Sequence, residues 1–443
     1  MPLWSDVLGL RHRFDGGLFL PENKAAIAKR PIERIEIDGP LYIPLQVHRH
    51  APTIPAVSVG EHVLGGQRLA IAADEDSVPV HAPTSGTVRS IARVWTAADG
   101  FLPSVWLEPD MRDEWLPRPR SWLEDSFIRQ LADSGVVCPL PRGPAHRILQ
   151  QAVAADVTDL IVNGMETEPY LAADLRTLVQ QPGRLVDATC EIASAIGAHR
   201  VFLALPHRHR RVVKRLEREA RGRFIEIAPL ANRYPQCNAV VLVKTLLDRE
   251  VPPGGTVLDV GALVLPLATV RDAGTALYDG RPVTRAVLTI AGDAVDHQGT
   301  YDVAVGTPLR RVAERVGLIS HVTQAVWGGP LTGIALRRED AVVTADMTAL
   351  LLFSTAQEPN PVPCLHCGWC VEDCPVGLNP AELMHLEAED KCQAADLALL
   401  NACVDCGLCS YVCPAQLPLA ASIRRSRTRF SQTARAPAPG TAR

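Results

Sequence analysis

The chain is short of lysine, of net charge and of long apolar runs. Lysine occurs at five of the 443 positions, so nearly all of the positive charge is arginine, which is typical of a compositional bias. The formal net charge of −4 argues against a nucleic-acid-binding protein. The most apolar window, Val257 to Val270, is broken by Asp259 and Pro266 and is shorter than the roughly 20 residues needed to cross a bilayer. The N-terminus lacks the apolar stretch of a signal peptide. We therefore expect a soluble or peripheral protein that does not bind nucleic acid.

Cysteine, in contrast, is concentrated near the C-terminus, where eight of the twelve residues lie in two copies of the motif C-x2-C-x2-C-x3-C-P. This is the bacterial ferredoxin spacing, in which three thiolates hold one [4Fe-4S] cluster and the fourth reaches the neighbouring cluster. The rule assigns a first cluster to Cys364, Cys367, Cys370 and Cys413. It assigns a second cluster to Cys374, Cys403, Cys406 and Cys409.

Two alternatives to iron-sulfur clusters are zinc knuckles and a disulfide cluster. Zinc sites usually show two cysteine pairs rather than four cysteines followed by proline, and disulfides need an export context. The four other cysteines stand singly and are predicted to be small buried apolar residues. They are Cys138, Cys190, Cys237 and Cys392.

The length predicts several domains, and the periodicity changes along the chain. After a leader (1–40) of irregular structure, residues 41–109 show short strands broken by Gly and Pro. Their VSVGEHVLGGQ and APTSGTV stretches resemble a biotinyl/lipoyl-like barrel-sandwich hybrid. Carriers of that type have a lysine at a hairpin tip; the corresponding turn here, Ala73 to Val78, reads ADEDSV. A swinging arm is therefore not expected.

Residues 120–280 alternate between strand and helix patterns, which predicts a Rossmann-like α/β unit with a parallel sheet. We expect strands at 158–162, 201–205 and 224–227 and helices at 122–132, 185–196, 207–221 and 240–249. Pro252-Pro253-Gly254-Gly255 is predicted to end the alternation, before a linker.

The remaining segments complete a multidomain α/β and β fold. Residues 284–340 resemble a β-grasp (SLBB-like) module, with a strand at 285–293 and a helix opened by Thr307 as N-cap and Pro308. Residues 355–425 predict a helical twin [4Fe-4S] ferredoxin domain, and residues 426–443 a disordered tail.

This order of parts resembles the RnfC family, a component of the Rnf/Rsx ion-translocating electron-transport complex, from about Phe14 to Arg425. The specific stretches are VPVHAPTSGTV, NGMETEPY, REVPPGG, WGGPLTG and the two cysteine runs. The resemblance implies a peripheral subunit on the cytoplasmic face of the bacterial inner membrane, related to the flavin subunit of respiratory complex I. Such a subunit takes electrons from NADH through FMN and passes them through two clusters to membrane partners. The FMN and NADH residues it implies are Asn163, Glu166, Glu168 and Tyr170.

Three other stretches of that nucleotide site depart from the family pattern. The Gly-rich phosphate loop is replaced by GVVCPLPRGP at 135–144, whose prolines remove N–H donors. The K-Y-P-x-G stretch keeps Tyr234 and Pro235 but has Cys237 in place of glycine, and ALVLPLATV around Pro266 lacks the expected Asn and Gly. The sequence thus predicts a degenerate nucleotide site and leaves NADH oxidation by this chain open.

Three functions remain as hypotheses. The first is a redox subunit of an Rnf-like membrane complex, which receives electrons from NADH, from a ferredoxin or flavoprotein, or from another subunit. The second is a non-enzymatic iron-sulfur adaptor. The third is a soluble cobalamin reductase of similar domain order, whose relatives keep the Gly-rich loop.

Overall fold

The computed structural model describes residues 14–48, 50–117, 126–356, 358–388 and 394–435, with backbone alone at 394–395 and 431–435. Its contacts divide these residues into two compact units. The first unit is formed by 14–20, 233–260 and the described residues from 358 onward; the second is formed by those of 21–232 and 261–356. Within the described residues, no helix is long and apolar enough to cross a membrane.

The leader contributes one strand to the second unit, β1 (Ile32–Arg34). It pairs in parallel with residues 300–302. The prediction of wholly irregular structure in the leader was therefore wrong. The reason is that its partner strand lies far downstream, where a local pattern gives no signal.

Two small antiparallel sheets follow, with the strand orders β2-β8-β7-β4 and β3-β5-β6. Alternate apolar residues face their common core: Leu41 pairs with Leu107, Ile43 pairs with Val105, and all four are buried. The strands are β2 (Leu41–Pro44), β3 (Thr53–Pro55), β4 (His62–Val63), β5 (Arg68–Ala72), β6 (Val80–His81), β7 (Gly86–Thr96) and β8 (Gly100–Pro109).

The ADEDSV turn between β5 and β6 is anchored. Arg147 donates from Nε to Asp76 Oδ1 at 3.0 Å and from Nη1 to Glu75 Oε2 at 3.0 Å. Arg147 belongs to the helix Ala145–Ala154 of the α/β part. The tip that bears a lysine in carrier domains is here an acidic contact with a neighbouring helix.

A four-stranded parallel sheet, with the order β13-β12-β11-β14, forms the centre of the α/β part. The central residues of its strands are apolar because helices lie beside them, and the three predicted strands are confirmed within a few residues. The strands are β11 (Asp159–Asn163), β12 (Arg200–Pro206), β13 (Glu226–Leu230) and β14 (Ala262–Pro266), preceded by a hairpin of β9 (Val137–Pro139) and β10 (Arg142–Pro144).

The helices of this part are Phe127–Asp133, Ala145–Ala154, Ala173–Gln180, Pro182–Ile196, Arg210–Glu219 and Leu267–Gly274, the last followed by a π turn at Thr275–Asp279. Residues 122–125 of the predicted helix at 122–132 lie outside the described residues. The predicted end of the alternation at Pro252–Gly255 was wrong, because β14 follows it and pairs with β11.

The last sheet has six strands in the order β1-β16-β15-β19-β17-β18 and packs against the helix Leu309–Val316. That helix begins one residue later than predicted: Pro308 is its N-cap, and Thr307 Oγ1 donates to Ala304 O at 2.8 Å instead of capping. Besides β1, the strands of this sheet are β15 (Arg285–Ala291), β16 (Gly299–Ala304), β17 (Gln324–Trp327), β18 (Ile334–Ala335) and β19 (Ala349–Phe353).

The described part of the first unit is helical apart from its loops. Its longest helix, Leu419–Arg435, covers much of the predicted disordered tail, so that prediction was wrong for 426–435; residues 436–443 lie outside the described residues. Leu419, Ile423 and Phe430 lie at helical spacing, and the last two pack with Leu383 and Leu400, which supplies a core that composition alone did not show. The helices are Ala239–Leu247, Trp369–Glu372, Pro380–Ala388, Ala394–Ala402, Leu408–Tyr411 and Leu419–Arg435, with a 3-10 turn at Val257–Val260.

Candidate iron-sulfur centre

The two cysteine runs, 364–374 and 403–413, have the same backbone conformation. We call Cys364–Cys367 the first loop and Cys403–Cys406 the second loop. His366 and Asp405, at the same place in each, have positive φ angles of 53° and 56°. Gly368 and Gly407 follow at 81° and 75° and cap the short helices Trp369–Glu372 and Leu408–Tyr411. The left-handed residues curl each loop so that its cysteines converge on one side.

Seven of the eight sulfurs influence one another, within and between the two runs. Burial raises the pKa of Cys370, and the charges of Cys367 and Cys413 raise it further. Burial also raises the pKa values of Cys406 and Cys409 to about 12, with Cys403 and Cys374 among the sulfurs that add to the shift. The last cysteine of each run thus lies beside the sulfurs of the other run. Because thiolates are the metal-binding form, loading such sites releases protons.

Backbone N–H groups point at these sulfurs, as expected of ligands to an iron-sulfur cluster. The N–H of His366 donates to Cys364 Sγ at 3.4 Å, and the N–H of Leu378 donates to Cys374 Sγ at 3.3 Å. In the second run, the N–H of Asp405 bonds to Cys403. The residues present therefore fit two [4Fe-4S] clusters held by two equivalent loops.

Side chains from distant segments hold all four carbonyls of the second loop. Arg427 Nη1 donates to Cys403 O at 3.1 Å and Asn238 Nδ2 donates to Val404 O at 3.2 Å. Arg424 Nη2 donates to Asp405 O at 3.4 Å, and Tyr234 Oη donates to Cys406 O. Tyr234 is 1% exposed and also pairs through its backbone with Leu18 at 2.7 and 2.9 Å.

The first loop is open to solvent. Leu365 is 61% exposed, Trp369 just beyond the loop is 52% exposed, and His366 and Cys367 are exposed. The segment 14–20 contacts only the far end of this run in the contacts described, where Gly17 N donates to Asp373 O at 2.9 Å. A Cβ on Gly16 would lie 2.6 Å from Cys374 O, so glycine permits this close approach.

Single metal ions would need a different arrangement of ligands. In the described part of the chain, no three His, Cys, Asp or Glu side chains converge as they would around one metal ion. Thiolates around a four-iron cube stand further apart than thiolates bound about 2.3 Å from one zinc, so clusters do not need such convergence. Of the single cysteines, Cys138 is buried as predicted, Cys190 and Cys237 are half-buried, and Cys392 lies outside the described residues.

The predicted nucleotide-site residues lie in the second unit, at and beyond the carboxyl end of β11. Asn163 Oδ1 accepts from Met165 N at 3.0 Å. Glu166 Oε2 accepts from Leu175 N at 2.9 Å, and its carbonyl accepts from Lys24 Nζ. These side chains shape the turn that follows β11 and the start of the helix Ala173–Gln180.

Glu168 and Tyr170 are likewise engaged. Glu168 is 6% exposed, and its carboxylate accepts from Leu331 N at 2.8 Å and from the hydroxyl of Thr332. Burial raises its pKa, although these hydrogen bonds oppose the shift. Tyr170 stacks edge-on against Phe353, with ring centroids 5.5 Å apart. Glu168 thus anchors the WGGPLTG loop, a pairing of two family stretches that their separation in the sequence concealed.

The segment that replaces the Gly-rich loop folds as the β9-β10 hairpin. Its backbone groups face one another, with Gly143 opposite Cys138. Cys138 points inward and is fully buried, whereas Leu140 at the tip is 72% exposed. Arg142 fixes the hairpin through Asp346 at 2.6 Å and Asp99 at 2.9 Å. With three prolines and paired strands, this segment does not fit the phosphates of a flavin nucleotide.

Sequence reasoning missed the residues that hold the second loop. Tyr234 and Pro235 belong to one of the family's nucleotide-site stretches, yet Tyr234 contacts the second loop within the first unit. Asn238 had a detectable signal, since it caps the helix Ala239–Leu247 by accepting from Val240 N at 2.9 Å. Arg427 was hidden in the segment expected to be disordered, and Arg424 lies just before that segment.

Comparisons with known family models match three regions. Residues 12–112 match the RnfC Barrel sandwich hybrid domain, residues 142–276 the Nuo51 FMN-binding domain, and residues 363–418 the 4Fe-4S dicluster domain. The chain is therefore a multidomain α/β protein with a barrel-sandwich hybrid, a domain of the Nuo51 flavin-binding type and a 4Fe-4S dicluster domain. This confirms the predicted fold class at that level.

A solved NAD+-reducing [NiFe]-hydrogenase has the same fold over part of its length. The TM-score is 0.51 at 16% identity, and the match covers 72% of this chain and 64% of the hydrogenase chain. At that identity the likeness concerns the fold alone.

Relatives that align with most of this chain match more closely in sequence. The C subunit of the ion-translocating oxidoreductase complex of Rhodobacter capsulatus is 30% identical over 399 residues, which cover 87% of this chain and 77% of that protein. The C subunit of the proton-translocating ferredoxin:NAD(+) oxidoreductase complex of Clostridium ljungdahlii is 30% identical over 392 residues, covering 86% of each. The chain belongs to the family of C subunits of ion-translocating oxidoreductase complexes.

Proposed function

We propose that this chain is the electron-transfer component RnfC of an Rnf-type ion-translocating complex and that it passes electrons through two [4Fe-4S] clusters. The repeated cysteine motif, with the same loop conformation in both runs, is the observation that carries the proposal. By the spacing rule, Cys364, Cys367, Cys370 and Cys413 would hold the first cluster, and Cys374, Cys403, Cys406 and Cys409 the second. Each bound cluster would supply one-electron storage, while the chain fixes the spacing and surroundings of both.

Anaerobic purification tests this proposal. The expected result is about eight iron and eight sulfide per chain and two paramagnetic signals after reduction. A Cys190→Ser variant, altered at a half-buried single cysteine, is the matched control and should keep both clusters. Zinc in place of iron, or a colourless protein after reconstitution, would contradict the proposal.

We propose further that electrons enter from a partner and not through an FMN site of this chain. The paired hairpin at β9-β10 and the engaged carboxylates of Glu166 and Glu168 support this reading. The relative from Clostridium ljungdahlii is named for ferredoxin and NAD(+), so a ferredoxin or flavoprotein is a suitable donor or acceptor to test. Stoichiometric FMN in the purified chain, together with reduction of its clusters by NADH, would overturn this part. In that case Asn163, Glu166, Glu168 and Tyr170 become the residues to vary.

We also propose where the chain is located and what it assembles with, from its membership of this family of C subunits. The chain would be a peripheral protein at the cytoplasmic face of the bacterial inner membrane, attached through the other subunits of its complex. Co-purification with those subunits from solubilised membranes, reversed by high salt or alkaline wash, is the expected result. If all of the chain were recovered without membrane subunits under mild conditions, this proposed location would be contradicted.

We also propose finer domain assignments. The six-stranded sheet with the helix Leu309–Val316 would be the β-grasp module, extended from 284–340 to Phe353 by β19. The barrel-sandwich hybrid would occupy 41–109, the Rossmann-like unit 120–280 and the twin ferredoxin domain 355–425. Limited proteolysis should cut between these ranges before it cuts within them.

A non-enzymatic adaptor remains a second candidate because the described nucleotide-site side chains serve structural contacts. An adaptor need not turn over electrons. Rapid reoxidation of the reduced chain by its membrane partners would support the redox subunit, and an absence of reoxidation by the assembled complex would support the adaptor.

A further inference from the structure

The second loop is held by four side-chain donors, one for each of its consecutive carbonyls. They are Arg427, Asn238, Arg424 and Tyr234, in the order of the carbonyls from Cys403 to Cys406. Within the described residues, no side chain makes an equivalent bond to a carbonyl of the first loop. The arrangement is therefore specific to one of two otherwise equivalent loops.

We call these four donors the clamp. The clamp orients a backbone N–H group that donates to a cysteine sulfur. In a trans peptide the C=O of one residue and the N–H of the next point in opposite directions. Asn238 holds Val404 O at 3.2 Å, and this fixes the orientation of the Asp405 N–H, which bonds to Cys403. Hydrogen bonds to cluster sulfurs are one of the factors that set reduction potential.

The clamp also places positive charge beside the second loop. Arg424 Nε lies 3.2 Å from Asp405 Oδ1, and Arg427 also pairs with the Asp405 carboxylate. Two guanidinium groups therefore lie beside the Asp405 carboxylate at the second loop. Only 28% of the Arg427 side chain is exposed, so solvent screens it less than a free surface charge. One-electron reduction adds one negative charge to a cluster, and a nearby cation stabilises that reduced form.

We propose that this four-donor clamp raises the reduction potential of the second cluster relative to an unclamped loop, with Arg427 as its main positioning residue. The inference rests on the proposed function, because it requires both clusters to be present. The clamp gives two clusters with one ligand motif different electron affinities, so that transfer between them has a preferred direction.

Redox titration of the full chain, loaded anaerobically and followed by electron paramagnetic resonance, tests the proposal. The second-cluster signal is identified as the one lost in Cys406→Ala. Arg427→Gln should shift the midpoint of that signal to more negative potential and leave the first signal in place. Arg427→Lys keeps the charge but not the planar geometry and should give a smaller shift. Arg425→Gln, on the same helix but paired with Glu387 at 3.2 Å, is the matched control and should shift neither signal.

A neutral variant separates charge from orientation. Asn238→Ser keeps an N-cap for the helix Ala239–Leu247 but is too short to hold Val404 O, so a smaller negative shift of the second signal is expected. If Arg427→Gln fails to retain the second cluster, Arg427→Lys and Asn238→Ser decide the question.

Unchanged midpoints in these variants, with both clusters present, would overturn the inference and leave the proposed function intact. Equal shifts of both signals would overturn it as well, because the effect would not be local. Absence of iron from the unaltered chain would instead overturn the proposed function.

Discussion

The two cysteine runs have one motif and one backbone but different surroundings. The first loop ends in exposed residues such as His366 and Cys367, whereas every carbonyl of the second loop is held by a side chain from residues 234–238 or from the C-terminal helix. The repeated motif thus specifies how thiolates are presented to iron. The polarity and exposure around each set of thiolates come from segments that the motif does not include.

The two runs therefore share the geometry of their cysteine ligands but differ in the polarity and exposure that influence reduction potential. Potentials of iron-sulfur clusters vary with hydrogen bonds, charge and exposure even when the ligands are the same. A protein that repeats one motif can therefore obtain two unequal clusters by covering one copy. Four experiments test how far the inequality extends, in order of decreasing expected effect.

The largest effect is expected from the last cysteine of each run. If the clusters are interlocked, Cys374→Ala removes the second cluster and Cys413→Ala removes the first, and each variant keeps roughly half of the iron. Iron assays and paramagnetic resonance of the reduced chain measure this. If Cys374→Ala instead removes the same signal as Cys367→Ala, each run holds its own cluster.

Loss of the Tyr234 side chain should destabilise the second loop more than the first. Tyr234 is 1% exposed, so truncation to alanine leaves a cavity and costs about 3–5 kcal/mol of unfolding free energy. Urea unfolding under anaerobic conditions, followed by cluster absorbance, measures the change. Tyr411→Ala is the matched control: Tyr411 is 54% exposed in the second run and should change stability by about 0.5 kcal/mol or less. Similar losses in the two variants would show that Tyr234 is not a support of the loop.

The left-handed glycines should behave alike in the two runs. Gly368→Ala and Gly407→Ala each force an L-residue into positive φ, at a cost of about 1–2 kcal/mol. A Cβ on Gly368 meets no atom within 4 Å, so its cost should come from the backbone alone. The same unfolding measurement applies. A much larger loss of unfolding free energy in Gly407→Ala than in Gly368→Ala would mean that the two runs also differ at this turn.

The smallest effect concerns the order of iron loss. A hydrophilic iron chelator should remove the first cluster several-fold faster than the second, because Cys367 is exposed and the second loop is covered. Freeze-quenched samples show which paramagnetic signal disappears first. Arg427→Gln should narrow the difference and Arg425→Gln should not. If the second cluster were lost first, the covered loop would not protect its cluster better than the exposed loop does.

The sequence predicted the elements whose information is local. The cysteine spacing identified both runs, and the apolar stretches located β11, β12 and β13, since a buried parallel strand is apolar over its own few residues. The charged helix Arg210–Glu219 was also predictable, because Val213 and Leu216 lie on one face among charged residues.

Features that depend on distant partners were not predictable. Glu168 belongs to a recognisable stretch, but its partners Leu331 and Thr332 follow far along the chain, so a ligand role and a structural role looked alike. The C-terminal helix was hidden by its arginine content, although Leu419, Ile423 and Phe430 carried a helical pattern. The strand β1 has three residues and no apolar alternation to announce it.

The first unit is assembled from three stretches of chain, at 14–20, 233–260 and 358 onward, and in the sequence the residues of the second unit separate these stretches. During synthesis, Tyr234 and Asn238 are made long before the second loop, whose carbonyls accept their hydrogen bonds. Closing contacts of such long sequence separation is slow, so the iron-binding unit should be the last to mature. Metal delivery in the cell is then a step that follows translation, and chains interrupted before the C-terminal helix should accumulate with the rest of the protein folded and no cofactor retained.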